Sequence, residues 1–499
     1  MHSNSNYRKP LLAYGGFTGV PRIRLGFDNN DNINAGKGAV LHLTNGTFTV
    51  ADGFDTLKSD YQAQATVWYP ELHILAGATL AITSVKGGDS RVGFSNGTAQ
   101  PRLYITGGTL RIDGRDSWNA NRRIVWSAGN DTYKGYMAIK NGGAYIDNST
   151  SPADLFQRFN VSVNGGSIIQ TNCVPYTSTD ADRANDGYRT ISWYSSSKTF
   201  TVEDGVVKVP RIKIGQWHYN WLGRAYGLWE GFNSSQILCS DNVFTFKNSQ
   251  VKFAFAPGCA QASAGIALSP KTLRNKVSFL GASGSCTAHD FLIYGYTNSF
   301  EVADGTFTVN GHLVAGIGDT CSVTFTNCTA QIAEMPILAS ATNFTLGVKG
   351  AASVSVGGGL SLMSPGTHIE FAGESPSLSF AGGLNISSGA TFSFTLPEHG
   401  WTAAPLASTS ASSGGAIASD TKFEFDVTRY SIPKNRTLVP LIRSASGFSS
   451  IDVGALTSAN SDRLPSNSAG VKSSLVLGEG GKTLYLRIPG VNGFFITFH

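Results

Sequence analysis

The sequence predicts an all-β chain folded as a right-handed parallel β-helix. One apolar strand–turn–strand frame recurs eight times, and copies that begin at Met137 and Val161 are 24 residues apart (161 − 137). One turn of a parallel β-helix needs about 20 to 25 residues, given three short strands and short connections. Charged residues make up only 14% of the chain, below the ~25% of typical soluble domains. A Ser-, Thr- and Asn-rich surface of this kind is typical of secreted all-β proteins.

The frame has an apolar residue, any residue and a second apolar residue, then four turn residues, and then the same three-residue pattern again. Alternation of this kind indicates a half-buried strand on each side of a turn. In the copy that begins at Met137, the expected inward residues are Met137, Ile139, Ala144 and Ile146, and in the next copy Gln170 breaks the last inward position. The eight turns are TNGT (44–47), TGGT (106–109), KNGG (140–143), NGGS (164–167), EDGV (203–206), KNSQ (247–250), ADGT (303–306) and TNCT (326–329).

The motif TFTV occurs three times, at 47–50, 199–202 and 306–309. Its Phe and Val are expected to point inward and its Thr residues outward. The copy at 199–202 precedes a turn and the other two follow one, so the same strand serves at different places in the coil. Gly46, Gly205 and Gly305 lie in these turns, and we expect positive φ at all three, because glycine adopts it without steric cost.

An Asn-Gly or Asp-Gly pair between alternating runs is also the strongest hairpin signal, so tandem β-sandwiches are the alternative fold. No interdomain linker interrupts the frame, which favours the solenoid. The predicted organisation is an irregular N-terminal cap (1–36), the β-helix (37–396), a small, polar linker or loop (397–420) and a C-terminal β unit that covers the last coil (421–499).

Composition excludes several classes of function. The formal net charge is +5 and no block of consecutive Lys or Arg occurs, so no nucleic-acid partner is expected. No run of about 18 apolar residues could span a membrane, and the N-terminus lacks the apolar core of a signal peptide. The six cysteines show no zinc-ligand spacing and favour buried free thiols. No metal and no cofactor is predicted.

Several segments resemble a known group of proteins: GGTLRIDG, NGTFTVADG, GGLNISSGATFSFTL and LVLGEGGKTLYLRI. They are similar to the passenger regions of bacterial autotransporter-like surface proteins, which are large Gly- and Asn-rich right-handed β-helices. The resemblance is one of pattern and covers most of the chain. It implies export and a structural or adhesive role at the cell surface or outside the cell.

The alternative function is a carbohydrate-active β-helix enzyme, a polysaccharide lyase or a glycoside hydrolase. Arg211, Ile212 and Lys213 spell the RIK of pectin hydrolases, but the Asp pair and the Gly-His-Gly that accompany it there are absent. Strand alternation explains the segment better, with Lys208, Arg211 and Lys213 at solvent-facing or bend positions. We therefore predict no catalytic residue. The acidic stretches 28–32 and 178–187 lack the Gly and Glu spacing of a calcium loop.

One segment abandons the strand frame, the aromatic insertion at 214–232, IGQWHYNWLGRAYGLWEGF. Insertions from a solenoid commonly carry binding surfaces, and aromatic faces with one carboxylate and one guanidinium suit sugar rings. We expect either a packed structural plug or a site for polysaccharide or cell-surface glycan. The candidate ligand-binding residues are Trp217, Tyr219, Trp221, Arg224, Tyr226, Trp229 and Glu230.

Overall fold

The structure is a computed structural model, in which the chain divides into two compact units, Met1–His289 and Asp290–His499. Each unit is described separately. The residues that the structure describes are 11–20, 23–24, 40–50, 54–55, 70–83, 100–113, 124–127, 135–149, 153–157, 159–171, 190–193, 195–215, 239–254, 264–269, 272–362, 366–432, 435–467 and 469–490.

In the first unit, three sets of short strands run side by side. The first sheet holds Leu11–Tyr14, Val40–Thr44, Glu71–Leu75, Arg102–Thr106, Gly135–Lys140, Phe159–Asn164, Thr199–Glu203, Val243–Lys247 and Lys276–Leu280. The second sheet holds Phe17–Val20, Gly46–Val50, Ala78–Ile82, Thr109–Ile112, Ala144–Asp147, Ser167–Gln170, Val206–Val209, Gln250–Phe253 and Ser285–Ala288. The third set comprises Ile23–Arg24, Phe54–Asp55, Ile124–Ser127, Ala153–Gln157, Thr190–Trp193, Arg211–Ile214, Cys239–Ser240, Gly265–Leu268 and Thr272–Leu273.

The second unit repeats the arrangement. Its first sheet holds Ser299–Ala303, Ser322–Thr326, Thr345–Lys349, His368–Ala372, Thr391–Thr395 and Lys422–Asp426. Its second sheet holds Thr306–Asp319, Thr329–Glu334, Ser353–Val356, Ser377–Phe380, Leu406–Ser408, Thr437–Ser444, Ser474–Gly478 and Thr483–Ile488. The third set holds Asp290–Tyr296, the end of Thr306–Asp319, Ala341–Thr342, Leu360–Leu362, Leu384–Ile386, Gly415–Ile417 and Phe448–Ser450. Among the described residues of this unit, Val453–Ala459 forms a helix that is capped by Asp452.

Up to the strand Thr437–Ser444, the strands of a sheet follow one another in chain order within each unit, and successive strands pair in parallel. Each coil therefore contributes one strand to each sheet, which is a parallel β-helix. The predicted fold class is confirmed, and tandem sandwiches, which would need antiparallel pairing, are excluded. In the second unit, Ser474–Gly478 and Thr483–Ile488 form an antiparallel hairpin that joins Thr437–Ser444; the predicted domain bounds stay a prediction. Within the predicted linker, Leu406–Ser408 and Gly415–Ile417 pair in parallel with strands of the preceding coil.

The inward side chains stack from coil to coil. Ile105 is the register partner of Ile74 on one side and Ile139 on the other, and all three are 0% exposed. The TFTV motif behaves as predicted: Phe48 and Phe200 are fully buried, although the first lies on the second sheet and the other on the first. Alternation along each strand thus builds a continuous apolar core.

The turn prediction is confirmed at one glycine and wrong at two. Gly46 has a φ of +148°, but Gly205 and Gly305 do not have positive φ; the preceding Asp204 (+49°) and Asp304 (+61°) take the left-handed conformation instead. Aspartate tolerates this region because its short side chain can hydrogen-bond locally. The glycine that follows is needed for space, since a Cβ at Gly205 would lie 2.8 Å from a neighbouring valine side chain.

The frame that begins at Met137 is out of register in its second strand. Ala144 and Ile146, expected to be inward, are partly exposed, and Tyr145 and Asp147 are fully buried instead. The reason is turn length, because the strand before the turn ends at Lys140 and three residues precede the next strand. One extra residue moves every following side chain to the other face. By contrast, Gln170 keeps the inward position and is 5% exposed.

The expectation for the RIK segment is wrong in part. Lys208 is exposed, as predicted, but Arg211 and Lys213 are buried, at 1% and 6% exposure. All four side chains of Arg211–Ile214 are buried. A strand that is covered on both faces does not show the alternation on which the prediction rested.

Four cysteines are buried free thiols, as predicted: Cys239, Cys286, Cys321 and Cys328. Burial raises the pKa of Cys239 to about 12 and that of Cys321 to about 11, so neither is a reactive thiolate at neutral pH. Cys173 and Cys259 lie outside the described residues.

Candidate functional site

The whole set of predicted ligand-binding residues lies outside the described residues: Trp217, Tyr219, Trp221, Arg224, Tyr226, Trp229 and Glu230. The same holds for the two acidic stretches at 28–32 and 178–187. The binding role of the aromatic insertion therefore stays a prediction.

A similar set of side chains lies elsewhere, on the outer face of the first sheet of the first unit. Three of the strands that carry it, Val40–Thr44, Glu71–Leu75 and Arg102–Thr106, alternate strictly, with buried side chains at their second and fourth positions and outward side chains between them. Register brings the outward residues of successive coils together. We call this surface the aromatic patch; its members are Tyr14, His42, Glu71, His73, Arg102, Tyr104 and Tyr136.

The centre of the aromatic patch is a row of rings. His42, His73 and Tyr104 are successive register partners. The ring centroids of His42 and His73 are 4.4 Å apart, and those of His73 and Tyr104 are 4.5 Å apart with planes only 20° from parallel. Tyr136 approaches Tyr104 edge-on at 6.0 Å. The two separations that involve His73 lie at the short end of favourable ring pairs and that of the tyrosine pair lies within the range, so the sheet holds the rings of the row in contact distance.

One end of the row carries exposed apolar surface. Leu12, the register partner of His42, is 63% exposed, and Tyr14 on the same strand is 72% exposed. Both lie on the strand Leu11–Tyr14, next to Val40–Thr44. The ring of Tyr14 is thus open to solvent, in contrast to the rings of the row, which are only partly exposed. A solvent-exposed ring of this kind can pack against the flat face of a ligand.

Charged groups flank the rings. Glu71 accepts from Arg102 Nη1 at 3.3 Å and from His73 Nε2 at 3.2 Å. The side chain of Glu71 is 13% exposed and that of Arg102 is 37% exposed. Glu71 and Arg102 are register partners, so the sheet itself holds the carboxylate and the guanidinium side by side.

Burial changes the titration of two members. It lowers the pKa of His42 below its ordinary value of 6.5, and neighbouring His73 lowers it further, while Glu71 opposes both effects. His42 is therefore neutral at pH 7 and can both donate and accept a hydrogen bond. Burial likewise raises the pKa of Tyr104, against the opposing charge of Arg102, so its hydroxyl stays protonated.

The aromatic patch combines ring surface, hydroxyl and imidazole edges, one carboxylate and one guanidinium. These are groups that recognise a neutral, hydroxyl-rich ligand. In the part of the chain that the structure describes, no group of three or more His, Cys, Asp or Glu side chains is arranged to hold a metal ion.

Sequence reasoning missed the aromatic patch because its members are one coil apart, near positions 42, 73, 104 and 136, and no local window contains two coils. The signal was present in the outward positions of VLHLT, ELHIL, RLYIT and GYMAIK. Aligning these coils requires their lengths, which vary with the insertions between strands.

Comparison of the chain with protein-family descriptions, curated proteins and solved structures returns no match. Among the described residues, no helix has the length and apolar character needed to cross a membrane.

Proposed function

We propose that this chain is an exported bacterial surface or extracellular protein that binds glycans without cleaving them. The aromatic patch carries the proposal. It offers an exposed ring (Tyr14), a row of ordered rings and the Glu71–Arg102 ion pair on one rigid sheet face. An autotransporter-passenger-like, adhesive role agrees with this arrangement and with the low fraction of charged residues.

Glycans fit the chemistry better than other partners. The C–H face of a sugar ring packs on an aromatic face, and its hydroxyl groups both donate and accept hydrogen bonds. The neutral imidazole of His42 and the hydroxyl of Tyr104 can also do both, while Glu71 accepts and Arg102 donates. A strongly anionic partner is disfavoured by the Glu71 carboxylate, which flanks the row of rings beside His73 and Arg102.

A glycan array tests the proposal. The wild-type chain is expected to bind a limited set of oligosaccharides, and Tyr14→Ala and Arg102→Gln are expected to weaken binding at least about tenfold, which is ~1.4 kcal/mol. The matched control is Tyr296→Ala, since Tyr296 is an exposed tyrosine (46%) on a different sheet in the second unit. Equal binding by all four proteins would contradict the role of the aromatic patch.

Two further results distinguish neighbouring hypotheses. If Trp221→Ala abolishes binding and Tyr14→Ala does not, the glycan site is the aromatic insertion at 214–232. If mass spectrometry finds that the wild-type chain shortens the bound oligosaccharide, the protein is a carbohydrate-active enzyme, and the non-catalytic part of the proposal is wrong.

A further inference from the structure

A separate cluster of titratable side chains lies in the second unit, at Asp290, His312 and Glu334. The three residues are 22 positions apart in the chain (312 − 290 and 334 − 312), so they occupy equivalent places in three successive coils. His312 and Glu334 are register partners, just after a register shift in the pairing of their strands. The shift lies between Val309 and His312, at the start of a turn toward the third set of strands.

Asp290 fixes the orientation of the imidazole. One carboxylate oxygen, Oδ1, accepts from the backbone N–H of His312 at 2.9 Å and from its ring Nδ1 at 3.0 Å. An ionised carboxylate can only accept, so Nδ1 carries the hydrogen. In the neutral form of the ring, Nε2 is then the nitrogen that bears a lone pair. Asp290 is 8% exposed, which makes it a well-anchored partner for the ring.

Nε2 faces a second carboxylate. It lies 3.5 Å from Oε2 of Glu334, beyond the 2.7–3.2 Å of a good N–H···O hydrogen bond. When the ring is neutral, Nε2 and Oε2 are both acceptors, and a cation or a proton between them relieves their repulsion. Zinc binds imidazole nitrogen at about 2.0–2.1 Å and carboxylate oxygen at about 2.0–2.2 Å, and a tetrahedral angle places two such ligands roughly 3.3–3.5 Å apart.

The surroundings leave room for further ligands. The side chain of Glu334 is 63% exposed and that of His312 is 27% exposed. Beside Glu334, Gly358 has no side chain, and a Cβ there would lie 3.6 Å from Glu334 Cγ. Solvent or ligand oxygen atoms can therefore reach an ion held between Nε2 and Oε2.

We propose that His312 and Glu334 form a two-ligand site for a divalent first-row transition ion such as Zn²⁺, with Asp290 as the positioning residue. A carboxylate on the far nitrogen of a metal-bound histidine fixes the ring and raises its basicity. Imidazole and carboxylate together suit Zn²⁺ and Cu²⁺ better than Mg²⁺ or Ca²⁺, which prefer all-oxygen sites. The remaining positions of the ion are open to solvent or to an oxygen of a bound molecule.

Isothermal titration of Zn²⁺ into the full chain, without a histidine tag, tests this site. One saturable site is expected, and it is expected to be lost in both His312→Asn and Glu334→Gln. Asp290→Asn keeps both ligands and is expected to weaken binding about 10- to 100-fold, as outer partners of metal ligands do. The control is His368→Asn, whose imidazole contacts Ser393 Oγ at 2.6 Å on another sheet and which is expected to bind Zn²⁺ normally.

The side chain of Glu334 is largely exposed, so Glu334→Gln is expected to fold, and an unchanged melting temperature in the absence of metal checks this. No saturable Zn²⁺ binding, or identical binding in wild type, His312→Asn and Glu334→Gln, would overturn the proposal. A ¹⁵N spectrum that shows both ring nitrogens of His312 protonated at saturating Zn²⁺ would also overturn it, because a proton would then bridge the two carboxylates in place of the ion.

Discussion

The ring of His73 lies nearly parallel to that of Tyr104, with centroids 4.5 Å apart, because the two residues are register partners on neighbouring coils. In a parallel β-helix an outward residue meets its equivalents in the coils before and after it. Side chains about 30 residues apart in the chain thereby become a continuous surface. The aromatic patch is a product of this register, and so is the Asp290–His312–Glu334 cluster.

The first prediction concerns the inward column. Ile105 is 0% exposed between Ile74 and Ile139, so Ile105→Asp would bury a charge among apolar side chains, at a cost of several kcal/mol. We expect loss of soluble protein. Thr106→Asp, one position later and partly exposed, is expected to give soluble protein with a nearly unchanged melting temperature. Equal yields of the two variants would contradict the inward and outward assignment.

A second prediction tests the register after the turn at 141–143. Tyr145 is fully buried and Ile146 is partly exposed. Truncating a buried aromatic side chain costs about 3–5 kcal/mol, so Tyr145→Ala is expected to lower the free energy of unfolding by that amount. Ile146→Ala should cost much less. Chemical denaturation measures both losses. A larger loss for Ile146→Ala than for Tyr145→Ala would support the register that the sequence frame predicts.

A third prediction concerns the left-handed turn residue Asp204, with a φ of +49°. Left-handed backbone costs an ordinary residue about 1–2 kcal/mol, and a β-branched side chain is especially unfavourable there. Asp204→Val is therefore expected to lower the melting temperature, whereas Asp204→Gly should not. Thr201→Val, on the outer face of the preceding strand, is the control. An unchanged melting temperature in Asp204→Val would show that the turn adopts another conformation.

The fourth prediction concerns pH. Burial and His73 lower the pKa of His42 in the folded chain below 6.5, so the unfolded chain binds a proton at this residue first as the pH falls. The contribution of His42 to the stability of the fold is therefore fully present above about pH 6.5. It is lost as the pH falls through the pKa of His42 in the folded chain. We expect His42→Gln to show a smaller fall in melting temperature between pH 7.5 and pH 5 than wild type. An equal fall in melting temperature in both proteins would show that His42 does not contribute to the pH dependence of stability.

The sequence predicts the strands well and the surfaces poorly. Alternation alone places Phe48, Phe200 and Ile105 in the core, because a side chain's face depends only on its strand. The slip at Tyr145 depends on a turn one residue longer than expected, which the pattern KNGG does not reveal. Burial of Arg211 depends on what covers the outer face of its strand. The pairing of His73 with Tyr104 depends on how many residues separate two coils.

An NMR titration of the histidine side chains detects glycan binding on the aromatic patch directly. The oligosaccharide that binds best on the array is added to protein with ¹³C-labelled histidine, and signals are assigned by His→Gln substitution. Saturable shifts are expected in the imidazole signals of His42 and His73, with His312 and His368 in the second unit unchanged. Saturable binding of the oligosaccharide without any shift at His42 and His73 would show that the glycan binds elsewhere on the chain.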